Sequence, residues 1–501
     1  MLSRLLVVWS SEPAGKPCHG RNTTPQPNIL LICVDHWPGS LLEDEVHPCI
    51  MTHTLNQSCA NGVRFSNAYS ATPVCIPARR ALMSGITSQR HGDRIFNERL
   101  PMEGLTTLAQ TFSDAGYQTY AVGKLHVYPQ RSRIGFDDVT LFEEGRHHLG
   151  FKADDYELAL MDAGYAGQEL THAMCNNEYT VRPWHLPEHF HPTNWLTHQM
   201  CRTVKRRDPN RPAFWYLSYN HPHPPIVPIA SYPDMYADAN VPEPYIGDWA
   251  GDFETLPYAL KVRRDRTPIP KPQDLRRARQ GFYAQCTYID HQLRLVIGML
   301  REEELLDNTI ILFTCDHGDM LGNHGLYAKS IFYEDSCRIP FILVPTADYA
   351  NFGHHQVDDR LVELMDVMPT LLNMAGIPIP DTVEGMSLMG NQRRDHLYGE
   401  QNQGDLATRM LRDERYKLIY YAVGNRFQLF DMQEGRQELY DLSSDPAHRA
   451  ICDGLEAKLI PHLYGEDLKW VEDGRLVGLP DKMYVPAPNR GLSGQRGWRF
   501  M

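Results

Sequence analysis

The chain lacks an excess of positive charge. Its 501 residues include 49 Lys and Arg against 62 Asp and Glu, which gives a formal net charge of -13. Proteins that bind the phosphate backbone of nucleic acid depend on the opposite balance, so we expect no nucleic-acid partner. The sequence also lacks an apolar run as long as a bilayer requires, so we expect no membrane partner. An anionic ligand would have to be held by a few local cations.

Paired cysteine motifs are also missing. The chain has 11 cysteines, an odd number, and none of them form Cys-x-x-Cys units. This usage disfavours both a disulfide framework and a structural zinc site, and it predicts a reducing, cytoplasmic setting. Residues 1–9 contain too short an apolar run for a secretion signal.

Composition is otherwise that of a folded protein, because apolar residues make up 42% and charged residues 22% of the chain. The length exceeds what one hydrophobic core usually supports, so we expect two domains. The predicted organisation is a disordered or extended leader at 1–27, a main domain at 28–390 with insertions at 135–210 and 222–272, a smaller domain at 391–483 and a surface arm at 484–501.

Apolar runs of strand length alternate with helical patterns and predict an α/β fold with a mixed, mostly parallel sheet flanked by helices. The strand patterns lie at 28–34, 63–69, 117–122, 213–219 and 309–315, and the helical patterns at 78–84, 105–115 and 275–304. In a doubly wound sheet, ligands bind outside the carboxyl ends of the strands. Four candidate residues fall there: Asp35, Lys124, His223 and Asp316.

The region beyond residue 395 has a different character. Residues 415–421 and 426–431 alternate between apolar and polar side chains around Gly424-Asn425, which predicts a hairpin. We therefore expect the smaller domain to be α+β and to carry an antiparallel sheet.

Two Asp-His pairs close predicted strands. Asp35-His36 and Asp316-His317 would meet at one edge of the sheet and offer two carboxylates with two imidazoles. Carboxylates favour calcium, magnesium or manganese, and imidazoles extend the choice toward zinc or iron. An Asp after a strand can also serve only as a helix cap, but the duplication favours a metal site.

Cys75 has three interpretations. It could be a small buried hydrophobe, which is the commonest fate of a free cysteine. A helix N-terminus with Arg79 one turn on would instead lower its pKa and make a thiolate nucleophile. That second interpretation leaves the metal carboxylates without a role, so a third use of Cys75 is needed. Cations and imidazoles that could surround a tetrahedral anion lie at Lys124, His126, His223 and Lys329.

The third use comes from a resemblance. Cys75-Ile76-Pro77-Ala78-Arg79 is similar to the Cys-x-Pro-x-Arg signature of type I sulfatases in the alkaline phosphatase superfamily. Four further segments agree in order: residues 28–35, Gly123-Lys124-Leu125-His126, Pro222-His223-Pro224-Pro225, and residues 315–329, which include Asp316, His317, His324 and Lys329. The resemblance covers residues 28–445 and implies an alkaline-phosphatase-like sheet with a C-terminal subdomain.

The resemblance also implies a mechanism. In this family the signature cysteine is oxidised to formylglycine by a maturation enzyme, and the hydrated aldehyde attacks sulfur as a metal-bound nucleophile. The products are an alcohol or phenol and inorganic sulfate. The metal that the resemblance implies is calcium, with manganese or magnesium as alternatives. The implied metal ligands are Asp35, His36, Asp316, His317 and converted Cys75.

The remaining roles follow from the same resemblance. Arg79 would stabilise residue 75, Lys124 and Lys329 would neutralise sulfate oxygens, and His126 would be the base. His223 would bind sulfate or protonate the leaving oxygen, with Lys329 as its rival. Asn97 and His324 are the expected substrate contacts. The implied partners are a small sulfated sugar or aryl sulfate and the maturation enzyme, and a homo-oligomer is a further hypothesis.

One departure keeps alternatives open. Position 36 is His, where most sulfatases have a second Asp and the related phosphonate monoester hydrolases have Gln. A neutral ligand at this position would weaken the binding of calcium relative to that of manganese. His36 could also lie outside the set of metal ligands. The alternatives are a phosphonate monoester or phosphate diester hydrolase, a cysteine hydrolase, and a non-catalytic protein that binds sulfated ligands.

Overall fold

The structure, a computed structural model, describes residues 26–486 apart from 147–148, 151–152, 170, 175–177, 267–270, 347–348 and 350–354. Most of the predicted leader and of the predicted arm therefore lies outside the described residues. The first residues of the arm pack on the body of the protein, because the Tyr484 ring lies 5.5 Å from that of Phe253.

An eight-stranded sheet forms the centre of the molecule. Its strands are β1 (Asn28–Asp35), β2 (Val63–Tyr69), β3 (Gln118–Gly123), β4 (Asp138–Leu141), β5 (Ala213–Pro222), β6 (Thr309–Cys315), β7 (Phe341–Val344) and β8 (Gln356–Glu363). Their order is β4-β3-β5-β1-β6-β7-β2-β8. Only β7 runs against its neighbours, so the sheet is mixed and mostly parallel, as predicted.

The middle strands are buried on both faces, which explains their continuous apolar runs. Every residue of β1, β5 and β6 is buried. β1 pairs in parallel with β6 from Asn28 opposite Thr309 to Val34 opposite Cys315. Because Val34 pairs with Cys315, the residues that come next, Asp35 and Asp316, are at the same level of the sheet.

Helices cover both faces of this sheet and the smaller C-terminal sheet. They are α1 (His53–Ala60), α2 (Cys75–Ser84), α3 (Ser88–His91), α4 (Leu108–Asp114), α5 (Asp155–Asp162), α6 (Pro192–Lys205), α7 (Tyr258–Arg266), α8 (Pro272–Glu302), α9 (Glu334–Cys337), α10 (Val367–Met374) and α11 (Arg449–Leu459). The predicted helix at 78–84 starts three residues earlier, at Cys75, because Pro77 fits the first turn. In the described part of the chain, no helix is long and apolar enough to cross a membrane.

Part of the predicted insertion at 135–210 belongs to the central unit. β4 extends the edge of the central sheet beside β3, and α6 packs against α8 and β5. Short strands and single helices in this range have too little periodicity to be recognised from the sequence.

The C-terminal region carries a four-stranded antiparallel sheet in the order β12-β11-β10-β9. The strands are β9 (Leu397–Gln401), β10 (Thr408–Arg412), β11 (Tyr416–Tyr421) and β12 (Arg426–Asp431), and a two-stranded ribbon of β13 (Val471–Glu472) and β14 (Arg475–Leu476) follows. The predicted hairpin is confirmed as β11 and β12. Met410 and Ile419 face the central unit while Leu411 and Leu418 join the core under α11, as the two-residue period of a strand requires.

A buried lysine joins this sheet to the central unit. Lys417, on β11, is 0% exposed and donates to Glu334 Oε1 at 2.6 Å and Glu438 Oε1 at 2.8 Å. Its third bond goes to the carbonyl oxygen of Phe332 at 3.0 Å. The ammonium group thus has all three protons paired, which is the condition under which burying a charge is tolerated.

Replacing Lys417 by Met should destabilise the fold, because it leaves two buried carboxylates without a cation. We expect a loss of about 3 to 5 kcal/mol in the free energy of unfolding, measured by urea denaturation. The control is Lys469→Met, which removes an exposed ion pair with Glu466 and should cost less than about 1 kcal/mol. Equal stabilities of the two variants would contradict this account of the interface.

Candidate functional site

The candidate site lies at the carboxyl edge of the central sheet. Asp35 ends β1, and Asp316 and His317 directly follow the neighbouring strand β6. Cys75 is the first residue of α2 and enters the same space, because the loop after β2 leads into that helix. The sheet therefore brings together residues that are far apart in sequence.

Four side chains form a compact group with metal-ligand geometry. Ligand atoms of Asp35, Cys75, Asp316 and His317 all lie within 4.8 Å of one another. Cys75 Sγ lies 3.2 Å from His317 Nε2 and 3.9 Å from Asp35 Oδ1. Each of the four is at most 2% exposed, so the group is shielded from solvent.

The imidazole of His317 is held in the tautomer that a metal needs. Its Nδ1 donates to the carbonyl oxygen of Gly318 at 3.0 Å, which leaves the lone pair of Nε2 facing the group. Burial lowers the pKa of His317 well below its usual value, so the ring stays neutral. Two carboxylates and one neutral imidazole fit a hard or borderline divalent cation such as calcium or manganese.

Arg79 is fixed behind the carboxylates. Its Nε donates to Asp316 Oδ2 at 2.8 Å and one terminal nitrogen donates to Ser218 Oγ at 2.7 Å and to the Lys124 carbonyl oxygen at 3.1 Å. The other terminal nitrogen lies 3.5 Å from Asp35 Oδ2. The guanidinium group therefore orients both carboxylates.

This placement decides against the second interpretation of Cys75, in which Arg79 and the helix N-terminus would lower the pKa of the thiol and make it a thiolate. In the structure Arg79 is turned toward Asp316, and burial together with the nearby Asp35 raises the pKa of the Cys75 thiol to about 12. An unmodified Cys75 is therefore a neutral thiol and a poor nucleophile.

Lys124 completes the charge balance. Its Nζ donates to Asp35 Oδ2 at 2.6 Å and to Glu144 Oε2 at 2.9 Å. Burial alone would lower the pKa of this lysine, but the two carboxylates raise it above its usual value. The side chain is 0% exposed and stays charged, so it can face an anion in the site.

The two carboxylates have opposite pKa shifts. Burial would raise the pKa of Asp35, but Lys124 and His223 hold it well below its usual range. Burial and the negative charge of Asp35 raise the pKa of Asp316 to about 7. Without a bound cation, Asp35 is therefore ionised while Asp316 is protonated in part of the molecules near pH 7.

His36, Lys329 and His223 form a second group beside the first. His36 Nδ1 donates to Asp319 Oδ2 at 2.8 Å, and its Nε2 receives a bond from Lys329. Lys329 also donates to His223 Nε2 at 3.0 Å. Burial lowers the pKa of His223 to about 4, so both rings are neutral acceptors for the ammonium group. Tyr179 donates to the same Asp319 oxygen at 2.5 Å.

His36 is thus placed apart from the four-residue group. Its Nε2 lies 3.9 Å from Asp35 Oδ1, and a potential ligand set of Asp35, His36 and His223 also lies within 4.8 Å. Lys329 occupies the space between the two imidazoles. The geometry therefore favours His36 as an acceptor for Lys329 over direct coordination.

Three other predicted residues have different surroundings, and two of them are His126 and Asn97. His126 is buried, packs its ring 5.8 Å from that of Phe96, and has an Nδ1 that no described residue bonds. Burial and Arg146 lower the pKa of His126 well below its usual value, so the ring is neutral. Asn97 is exposed, and its Oδ1 accepts from the Arg99 backbone N–H at 3.1 Å.

The third of these predicted residues, His324, lies among aromatic side chains. The ring packs against Trp249 and Tyr333 at centroid distances of 4.7 and 5.4 Å, and its Nδ1 accepts from the Gly247 backbone N–H at 3.0 Å. Because these contacts lie under the C-terminal sheet, His324 has a packing role here. Its Nε2 has no hydrogen-bond partner among the described residues, and its role as a substrate contact stays a prediction.

Several site residues were missed from the sequence. Asp319 stands in the same motif as Asp316 and could have been proposed as its partner. Tyr179 and Glu144 lie in the long insertion, where no motif or periodicity marks them. Only the folded chain brings Glu144 to Lys124 and Tyr179 to Asp319.

The mixed, mostly parallel sheet, with a carboxylate-imidazole group and paired cations at its carboxyl edge, has an alkaline-phosphatase-like fold. Comparison with known proteins specifies the family. The profile described as Sulfatase matches residues 27–377, and a second, described as N-sulphoglucosamine sulphohydrolase, C-terminal, matches residues 322–463. The chain belongs to the sulfatase family and is a sulfuric ester hydrolase.

One curated relative agrees with this assignment, and two solved structures share the fold. An arylsulfatase from Clostridium perfringens is 33% identical over 90% of this chain and 97% of its own length. The phosphonate monoester hydrolase of Agrobacterium radiobacter shares the fold, with a TM-score of 0.75, 21% identity and coverage of 90% of this chain and 99% of that one. BT4656, solved with its substrate D-glucosamine-2-N,6-O-disulfate, has a TM-score of 0.69, 18% identity and coverage of 87% and 97%.

Metal affinity should depend on pH through Asp316. A cation competes with the proton for this carboxylate, whose pKa is raised to about 7, so affinity should be constant above pH 8 and fall below pH 7. We expect about tenfold weaker binding of calcium or manganese at pH 6 than at pH 8, measured by calorimetry on chelator-treated protein. An affinity that stays flat over this range would contradict the assignment.

Substituting His36 by Asn separates its two possible roles. Asn can still donate to Asp319 but offers no acceptor in the place of Nε2, so Lys329 loses a partner. We expect metal affinity to change less than about threefold, while kcat falls more than about tenfold. Asp35→Asn is the control and should reduce metal affinity about a hundredfold. A similar loss of metal in both variants would make His36 a ligand.

Proposed function

We propose that this protein hydrolyses the sulfate ester of a small sugar or aryl compound, with formylglycine made from Cys75 and one divalent metal, calcium first. The observation that carries the proposal is the position of Cys75 inside the four-residue group, with a thiol that burial keeps neutral. A cysteine there has little use as a thiol but is well placed as a precursor. The hydrated aldehyde would supply the hydroxyl nucleophile, polarised by the metal.

The ligand set proposed for the metal is Asp35, Asp316, His317 and the oxygen of converted residue 75. Arg79 holds Asp316 and lies 3.5 Å from Asp35, so the carboxylates are oriented before substrate arrives. Replacing sulfur by oxygen at residue 75 would turn a mixed donor set into one that calcium prefers.

The sulfate group would lie against Lys124 and Lys329. Both ammonium groups are already fixed by hydrogen bonds, so they can stabilise charge on the sulfate oxygens without reorganising. Removing such a fixed contact typically costs about 3 kcal/mol in the transition state. His126, neutral and with an unbonded Nδ1, is the proposed base that deprotonates the second hydroxyl of residue 75.

The proton for the leaving oxygen would come from Lys329. Among the residues described around this place, the two candidate donors are Lys329 and His223. His223 Nδ1 donates to the Pro224 carbonyl oxygen at 2.5 Å and its Nε2 accepts from Lys329, so the imidazole has no proton facing the site. His223 would accordingly orient Lys329 and take part in sulfate binding.

Three further proposals concern the maturation of residue 75, the cellular setting and the oligomeric state. We expect a separate maturation enzyme to convert Cys75 to formylglycine. Every cysteine in the described part of the chain is free, which supports the proposed reducing, cytoplasmic setting. The homo-oligomer stays a prediction that light scattering can test.

The catalytic efficiencies on a sulfate ester and on a phosphonate ester distinguish sulfatase from phosphonate hydrolase activity. Protein coexpressed with a maturation enzyme should cleave phenyl sulfate with a kcat/KM at least about a hundredfold above that for phenyl phenylphosphonate. The ratio matters because the fold and the paired cations suit both anions. A higher efficiency on the phosphonate would assign the chain to that chemistry, and sulfated-ligand binding without turnover would support the non-catalytic alternative.

A further inference from the structure

The backbone of the segment Lys124-Leu125-His126 is bonded to one buried carboxylate. Glu143 Oε1 accepts from the backbone N–H of Leu125 at 2.8 Å and from that of His126 at 2.7 Å. Glu143 is 0% exposed, so solvent does not compete for either bond. Successive backbone N–H groups that converge on one point form an anion-binding concavity, and here the carboxylate fills it.

This segment belongs to the candidate site. Lys124 Nζ donates to Asp35 Oδ2 at 2.6 Å and to Glu144 Oε2 at 2.9 Å. Arg79 donates to the carbonyl oxygen of Lys124 at 3.1 Å. The segment is therefore held by Arg79 at its first residue and by Glu143 at the next two.

The register of the sheet explains why Glu143 reaches this segment. β3 and β4 pair in parallel, with Gly123 opposite Leu141. Two residues further along each strand direction, Leu125 and Glu143 come level, and the carboxylate accepts from the backbone there. Part of the insertion at 135–210 thus reaches the candidate site as a continuation of the sheet.

Glu143 is itself fixed by its neighbours. Arg146 Nη1 lies 3.3 Å from Glu143 Oε2, and Arg146 is only 6% exposed, so the buried carboxylate has a buried cation beside it. The backbone N–H of Glu143 donates to Asp154 Oδ2 at 2.7 Å, and Asp154 caps α5. The side chain and the backbone of Glu143 are both held, as a residue that positions another must be.

His126 has a backbone conformation that residues with a side chain normally avoid. Its φ is 61°, in the left-handed region, where a glycine would fit with less strain. Strained residues persist where surrounding bonds enforce them, and they cluster at functional sites. No described residue bonds to Nδ1 of the imidazole, which packs 5.8 Å from the ring of Phe96. The bonds to Glu143 therefore act on the backbone that sets the direction of this ring.

We propose that Glu143 is the positioning residue for His126: its carboxylate fixes the left-handed backbone at residue 126 and so directs the imidazole into the candidate site. This inference rests on the proposed function, in which His126 is the base for the release of sulfate. In that step His126 takes the proton of the second hydroxyl of residue 75, a carbon–oxygen double bond forms, and the carbon–oxygen bond to sulfate breaks with its electron pair leaving on sulfate. Glu143 acts through His126 and has no part in the earlier release of the phenol.

The kinetic test is Glu143→Ala in matured protein with 4-nitrophenyl sulfate, whose good leaving group makes the release of the phenol fast. A misplaced base slows only the later release of sulfate, so kcat and KM should both fall about tenfold while kcat/KM changes less than about twofold. A burst of 4-nitrophenol should precede the slower steady state. KM does not depend on the fraction of active protein, so partial misfolding does not imitate this result. A reduced kcat/KM with an unchanged KM would overturn the proposal.

Asp155→Asn is the matched control. Asp155 lies in the same insertion, and its carboxylate accepts from the backbone N–H of Leu141 at 2.6 Å and pairs with Arg131. Its kinetics should match those of the wild-type protein. The same fall of kcat and KM in this variant would overturn the assignment of the effect to Glu143.

A double-mutant cycle shows whether Glu143 acts through His126. His126→Ala should lower kcat at least as much as Glu143→Ala does, because it removes the base itself. In the His126→Ala background, Glu143→Ala should change kcat less than about twofold further. An undiminished tenfold effect in that background would overturn the proposal.

Hydrogen exchange separates this inference from the proposed function, because it requires neither maturation nor turnover. In unmatured protein, the amides of Leu125 and His126 should exchange at least about tenfold faster in Glu143→Ala than in the wild type or in Asp155→Asn. Unchanged exchange would overturn the positioning role and leave the sulfatase function intact. Faster exchange in Glu143→Ala, together with an unchanged kcat in His126→Ala, would instead overturn the base that the proposed function assigns.

Discussion

The site depends on one buried carboxylate, Asp35. It lies where β1 ends beside β6, and Lys124 donates to it at 2.6 Å while Arg79 and His317 lie at 3.5 and 3.6 Å. A carboxylate that is 0% exposed would be costly without such cations, and the cations would be equally costly without it. The register of the two strands, the direction of Arg79 and the position of Lys124 are therefore parts of one electrostatic arrangement.

That arrangement prepares the site for a cation and an anion together. Asp35 is held ionised, while the raised pKa of Asp316 marks a place where more positive charge would be favourable. Lys124 and Lys329 face the same space with their protons fixed by neighbours. A divalent metal would complete the charge of the carboxylates, and an anionic ester would complete that of the lysines.

The sequence allowed much of this to be predicted, for physical reasons. Strands buried on both faces are continuous apolar runs, so β1 and β6 were recognisable, and the residues that follow them could be placed at one edge. What could not be predicted depends on side-chain direction and on loops. Arg79 turns to Asp316 and not to Cys75, His324 packs under the C-terminal sheet, and Glu144 reaches the site from an insertion without periodicity.

The central claim is that Cys75 acts only after conversion. The most direct measurement is the mass of the peptide that contains residue 75, taken across preparations with different degrees of maturation, together with the sulfate released by each. The account predicts that sulfatase activity rises in proportion to the fraction of residue 75 present as formylglycine and approaches zero in the unmodified protein. Full activity in a preparation whose Cys75 is an unmodified thiol would contradict it.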